Sequence, residues 1–274
     1  MKVSHGVYLA DTAMKIFLIG FGHMGQAIAQ ALRASQTRYE IFVADRDAAR
    51  VEKESSRLSV TPDSAYANLK DADAVIIAVK PQDLAALAEE LTGAISQNSI
   101  LVSVAAGVTI AKIKELFGRD KIVRVMPNIG LSVGQGISAW KSSGLSPEED
   151  AKARAFLNDL SENFEVDDET LIDAVTAISG SGPAYFFAFA ESLEKSAKVL
   201  GLGDAQARAL VEKTFSAAAS LQKGASYGEL VNKVASKGGT TEAALRVFEK
   251  NNLAHTVEEA ARAAYARAQE LNEK

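Results

Sequence analysis

Gly20, Gly22 and Gly25 stand at the spacing G-x-G-x-x-G, with Phe21, His23 and Met24 between them. In a turn from strand to helix the first glycine permits the tight bend. The second lets backbone approach a pyrophosphate, and the third lets helix pack closely on strand. The amides at the helix N-terminus then face the anion. The same spacing also serves as a bare structural turn, so its surroundings decide. The apolar run 16–19 precedes it directly, and Asp45 follows a second strand-like run, 40–44. That puts an acid about 20 residues beyond the loop, where a dinucleotide fingerprint meets a ribose hydroxyl. Asp45 favours NAD, whereas Arg46 beside it offers a partner for a 2′-phosphate or a plane for adenine, favouring NADP; the alternative for Arg46 is a solvated charge.

Three further segments carry candidate chemistry. Ala78, Val79, Lys80, Pro81 and Gln82 close the apolar run 74–79. Pro81 suits the first residue of a helix, yet carboxyl ends of strands are also where ligands bind in an open α/β sheet. Lys80 is a cofactor contact or a solvated cation. Ser103, Val104, Ala105, Ala106 and Gly107 end another run with small residues, leaving room for a nicotinamide ring. Ser236, Lys237, Gly238, Gly239, Thr240 and Thr241 then describe a hydroxyl-rich helix start. Such a start holds a carboxylate through free amides and hydroxyls, or is a plain N-cap; both readings stand. His23, inside the glycine loop, faces pyrophosphate or solvent and is not assigned as a base. His255 and Trp140 read as packing or surface residues.

The elements that must hold these segments follow from periodicity. Apolar runs at 16–19, 40–44, 74–79, 100–104 and 122–125 alternate with helical stretches, the pattern of βαβ units and a parallel sheet. A further strand is expected over 134–139, and a helix over 147–160 with Ser146 as N-cap. All five prolines fall at or before Pro183, and the alanine-rich remainder reads as helical: 184–200, 205–222 with Asp204 as N-cap, 227–235, 241–251 and 256–272. The expected organisation is an extension over 1–13, a Rossmann-type dinucleotide-binding domain over 14–168, and an all-helical domain over 169–274.

Composition narrows the chemistry. With 47% hydrophobic and 24% charged residues in 274, the chain is an ordinary globular one of one or two domains. A net charge of −5 offers no basic footprint for nucleic acid. No cysteine means no disulfide, thiolate metal site or cysteine nucleophile, and three dispersed histidines suggest no metal centre. No stretch reads as a secretory signal or membrane span, so the expected compartment is the cytoplasm.

Taken together, the segments resemble the Δ1-pyrroline-5-carboxylate reductase family. The resemblance runs from Met14 onward. It rests on the glycine loop, segments 78–82 and 103–107, Val123-Arg124-Val125-Met126-Pro127-Asn128, Ser179-Gly180-Ser181-Gly182-Pro183-Ala184-Tyr185, and 236–241. The resemblance implies an α/β cofactor domain and a helical domain that self-associates, with reduction of a cyclic imine to proline by NADPH, NADH being the alternative donor. It implies cofactor contacts at Gly20, Phe21, Gly22, His23, Met24, Gly25, Ala78, Val79, Lys80, Pro81, Ala105, Ala106 and Gly107, to which the fingerprint reading adds Asp45 and Arg46. It further implies substrate contacts at Ser236, Gly239, Thr240 and Thr241, with Thr241 near the ring nitrogen as the catalytic candidate. The sequence departs from the family where Ile129-Gly130 follows Asn128 in place of Thr-Pro, which bears on contacts around Asn128. Two other readings remain. A β-hydroxyacid dehydrogenase shares the G-x-G-x-M-G opening, but its lysine after a glycine-rich segment is missing here, since Pro183-Ala184-Tyr185 follows Gly182 and the next lysine is Lys195. A nucleotide-binding sensor without turnover is the non-enzymatic reading, and the intact 236–241 segment speaks against it.

Overall fold

The computed structural model describes residues 13–35, 39–222 and 224–272; the expected N-terminal extension, up to residue 12, lies outside the described residues. The first elements alternate: β1 (Met14–Ile19), α1 (His23–Ala34), β2 (Tyr39–Ala44), α2 (Ala48–Leu58), β3 (Thr61–Pro62) and β4 (Ala74–Ile77). They continue as α3 (Leu84–Glu90), β5 (Ile100–Ser103), α4 (Ile110–Phe117), β6 (Ile122–Pro127), β7 (Ile137–Ser143), α5 (Pro147–Leu160) and β8 (Glu162–Glu165). Together the strands form one eight-stranded sheet in the order β3-β2-β1-β4-β5-β6-β7-β8. Strands β1 to β6 pair in parallel, β7 runs antiparallel to β6, and β8 is parallel to β7.

A continuous apolar run suits a strand covered on both faces. In β1, Ile16 and Leu18 enter one core cluster with α1 residues Ile28 and Leu32, while Phe17 and Ile19 enter the other with Leu84 and Leu87. The order reverses between β1 and β4, which opens a crevice at their carboxyl ends.

Several expectations shift in detail. The strand expected over 134–139 is β7, displaced toward Ser143, because Ile129–Val133 wind into a 3₁₀ turn. Asn128 caps that turn, its Oδ1 accepting from the N–H of Gly130 (3.2 Å) and of Ile137 (3.3 Å). A Cβ at Gly130 would stand 2.5 Å from the Gln135 carbonyl oxygen. The local departure, Ile129-Gly130, therefore forms a turn capped by Asn128 and needs its glycine. Strands β3 and β8 were not expected; one is two residues long and the other, Glu-Asn-Phe-Glu, lacks an apolar run. The cap foreseen at Ser146 is a full capping box with Glu149.

The remaining elements are helical: α6 (Leu171–Val175) running into a π-helical turn at Thr176–Gly180, then α7 (Gly182–Val199), α8 (Asp204–Leu221), α9 (Tyr227–Val234), α10 (Thr240–Lys250) and α11 (Leu253–Asn272). Helix α7 starts before Ala184 because Pro183 fits its first turn, where the missing N–H is not needed. Asp204, expected as an N-cap, is instead the first helical residue of α8; Gly203 is the cap, and Gln206 accepts its N–H (3.2 Å).

Contacts divide the chain into two compact units. One runs to Gly180 and takes in the chain from Tyr265 onward; the other is Ser181–Ala264. Within the first, the end of α11 is tied to the sheet by a buried charge network. Arg124 donates to Glu169 (2.8 Å) and Asp173 (2.9 Å), and the second oxygen of Asp173 accepts from Asn272 (2.8 Å). Within the second, Phe186 and Phe187 both pack against Phe215, with ring centroids 6.2 and 6.5 Å apart. Even so, each of these two side chains stays 62% exposed in the single chain.

Candidate functional site

The first site grows from the end of β1. Gly20 turns with φ +97°, and its N–H donates to Ala44 at the end of β2 (2.9 Å). A Cβ there would lie 2.7 Å from backbone atoms of Ala78, so only glycine lets β1 leave the sheet past β4. A Cβ on Gly25 would stand 2.1 Å from the Gly20 carbonyl oxygen, which fixes how closely α1 approaches the turn. Gly22 differs. A Cβ there meets no atom within 4 Å, so its bareness serves something other than the protein's own packing. Gly22 also caps α1 without any side-chain hydrogen bond, leaving the first-turn amides open to an outside acceptor. A pyrophosphate at a helix N-terminus requires this combination.

The loop is held from below and from the side. The Phe21 ring is wholly buried in the core, and its N–H donates to Oδ2 of Asp45. The other Asp45 oxygen accepts from the N–H of Asp47 (2.8 Å), and Arg50 lies 3.9 Å from the carboxylate. Asp45 thus orders the glycine loop, each of its oxygens accepting one backbone N–H. Arg46 is exposed and pairs with Asp83 (3.0 Å). Met24 packs against the core, while His23 is exposed at the first position of α1.

A cleft of about 440 Å³ gathers Gly20, Gly22, Asp45, Arg46, Ala78, Val79 and Lys80; Phe21, His23, Met24, Gly25 and Pro81 are not among its lining residues. Pro81 opens a 3₁₀ turn, Pro81–Asp83, that leads into α3. Ala105, Ala106 and Gly107 are not among the cleft's lining residues. Gly107 has φ +69°, and the place of its absent side chain is taken by Leu271 and Ala268 of α11, a Cβ there lying 2.3 Å from Leu271 Cβ. The Cβ side of Gly107 is therefore packed against α11.

The cleft also contains Gln82, from the expected segment 78–82, and residues that the sequence pattern did not single out: Arg50, Ser64, Tyr66, Asp83 and Glu90. Arg50 lies one turn into α2, beyond the N-cap Asp47, and a count of acid and base after β2 could have included it. Tyr66 and Glu90 have no local signal, because the fold brings them in from the loop after β3 and the last residue of α3. Burial pushes the Tyr66 hydroxyl up to about 12, aided by its hydrogen bond to Glu90 and that carboxylate's charge, so it stays a protonated donor at neutral pH.

The second site lies in the helical unit. Thr240 and Thr241 are the first two residues of α10, and its N-cap is Gly239, which offers no side chain. The threonines are thus not the cap that one sequence reading allowed. Gly238 turns with φ +74°, and its N–H donates to Glu242 (2.5 Å), which also pairs with Arg246 (2.9 Å). The Gly239 N–H donates to the Ser236 carbonyl (3.0 Å), and a Cβ on Gly239 would stand 2.5 Å from Ser236 Oγ. Ser236, Gly239, Thr240 and Thr241 therefore share one turn, with two hydroxyls on an open helix N-terminus. Such a turn can hold a small carboxylate.

Residues 169–271 match the family model described as pyrroline-5-carboxylate reductase dimerisation, and residues 15–107 match that described as NADP oxidoreductase coenzyme F420-dependent. Pyrroline-5-carboxylate reductase of Synechocystis is 35% identical over 269 residues, covering 96% of this chain and all of the relative. The chain belongs to the pyrroline-5-carboxylate reductase family. The Coxiella burnetii family structure superposes with a TM-score of 0.82 at 31% identity, over 96% of this chain and 100% of that one. The Plasmodium falciparum enzyme, solved with NADP bound, gives the same TM-score at 25% identity over 94% and 98%. The family likeness thus spans both candidate sites. Among the described residues no helix is long and apolar enough to cross a membrane.

Proposed function

We propose that the chain reduces Δ1-pyrroline-5-carboxylate to proline with NADPH, as a self-associated assembly. The observation that carries this is the conjunction of an open Gly22 cradle with full-length likeness to one reductase family. The cofactor, when bound, supplies the hydride. The chain's own task is to bind and orient. The backbone of 20–25 cradles a pyrophosphate, while Ala78, Val79, Lys80 and Pro81 border it from the next strand. Arg46 and Arg50, both reachable from the cleft, suit a 2′-phosphate, and Asp45, committed to the Phe21 and Asp47 amides, is less available to a ribose diol. That balance favours NADPH over NADH.

A protonated cyclic imine is already an electrophile, so the helical unit needs no strong acid. The α10 amides and the hydroxyls of Ser236 and Thr240 hold the substrate carboxylate, and Thr241 hydrogen-bonds the ring nitrogen. A threonine hydroxyl orients well and donates protons poorly, so its role is alignment of the imine. Self-association follows from the bare apolar faces of α7 and α8, which a second copy covers. The setting we assign is the cytoplasm.

NADPH oxidation by purified protein with pyrroline-5-carboxylate tests this reading, with 3-hydroxyisobutyrate plus NADP⁺ as the comparison. Oxidation with the imine only is expected; folded protein that leaves NADPH untouched overturns the assignment. Thr241→Ala is expected to lower kcat by roughly tenfold or more, on the scale of a lost positioning hydrogen bond, with NADPH affinity kept. Unchanged turnover would remove Thr241 from the site.

A further inference from the structure

Tyr66 stands in the left-handed region with φ 57°, a setting that bulky side chains seldom adopt. Such strain persists where the surroundings over-determine it, and it concentrates at ligand clamps. The determinant here is Asp63. Its carboxylate accepts from the N–H of Ala67 (2.9 Å), the N–H of Asn68 (2.8 Å) and the Asn68 side-chain amide (2.9 Å). Its own N–H donates to the Val43 carbonyl (2.8 Å), tethering the turn to β2 two residues before Asp45. Behind the turn, the Tyr66 ring lies on Phe17 with centroids 5.9 Å apart. Glu90 lies on the hydroxyl side and, after burial, helps to raise its pKa. The ring is thus backed by Phe17 above a turn held by Asp63, and it forms part of the cleft wall that also holds Arg46 and Arg50.

We infer that Tyr66 is a cofactor-positioning residue: its ring is the platform on which the adenine of the bound dinucleotide stacks. This rests on the reading of the cleft as an NADPH site. The pyrophosphate cradle is at Gly22, and the cleft beyond the end of β2 takes the adenosine half. Every base has a π face, and an immobilised neutral phenol offers it area at little entropic cost.

The test uses the full chain, NADPH and the adenosine-half fragment 2′,5′-ADP. Tyr66→Gly removes the ring while suiting φ 57°, so the backbone is not strained by the change. Dissociation constants for NADPH and for 2′,5′-ADP are both expected to rise roughly tenfold, the scale of one base–aromatic stack. The loss should fall on the KM for NADPH and spare kcat at saturation. Tyr66→Phe and Tyr66→Trp, which restore a ring, should recover the affinity. Tyr66→Gly binding both ligands as tightly as the unaltered chain would overturn the inference. So would equal loss in the Phe and Trp variants, or a fall confined to kcat. Unaltered protein that binds neither ligand would instead overturn the NADPH reading, and the inference with it.

Discussion

The two candidate sites each pair a packed glycine with an open one at a helix start, but they stand in units built very differently. In the glycine loop of the first unit, Gly20 and Gly25 are required by atoms at 2.7 and 2.1 Å, and Gly22 faces open space. The turn is finished before any ligand arrives. In the second unit, α9 and α10 contain no buried residue, and across α7 and α8 only Gly182 and Ala207 are buried. Side chains such as Phe186 and Phe187 are left largely bare. A pre-built cleft can be read from one chain. A helical unit with almost no core of its own takes its stability from what covers it.

The largest expected break of this contrast is in the helical unit. Phe187→Glu puts a charge on an apolar helix face, and loss of assembly in light scattering is expected together with roughly hundredfold lower activity, as for an interface hot spot. An assembly of normal size would show that α7 is not the covered face. Next comes Gly25→Ala, whose added carbon has only backbone to displace. About 2 kcal/mol of destabilisation is expected in denaturant unfolding, together with weakened NADPH binding. Gly22→Ala sharpens the comparison, because its carbon meets nothing in the protein. Unfolding should be unchanged while the NADPH dissociation constant rises roughly tenfold. Equal destabilisation by both alanines would erase the distinction between packed and open glycines.

The smallest effect concerns Asp63. Burial works against its charge, but the Asn68 and Ala67 donors outweigh burial and hold its carboxyl below the ordinary 3.8. A depressed native pKa contributes stability that is present above 3.8 and fades as pH falls through the lower native value. Asp63→Asn should therefore flatten the acid limb of a melting-temperature profile below about pH 5, with about 1 kcal/mol lost at neutral pH. An unchanged acid limb would show that the Tyr66 turn does not depend on that charge.

Legibility varied with how local each cause was. The glycine loop, the apolar runs and the proline-free helices are written in neighbouring residues, and the strands and helices they predict are found. Element ends were less legible: Gly203 caps α8 where Asp204 was expected, and β7 slides toward Ser143 because Asn128 makes a 3₁₀ turn first. Gly107 shows the limit within a motif. Its type suits a cofactor contact, and Leu271, far along the chain, is a packing neighbour on its Cβ side that no local spacing announces.

By itself, then, the sequence determined the alternation of strands and helices, the position of the glycine loop and the hydroxyl-rich start of α10, since each depends on short-range periodicity and backbone freedom. Tertiary structure decided the rest. It turned Asp45 onto the Phe21 amide, brought Tyr66 and Glu90 to the cleft, and joined Asn272 to Asp173 and Arg124. Those contacts are set by strand order and helix packing, which bring together residues that no local spacing relates.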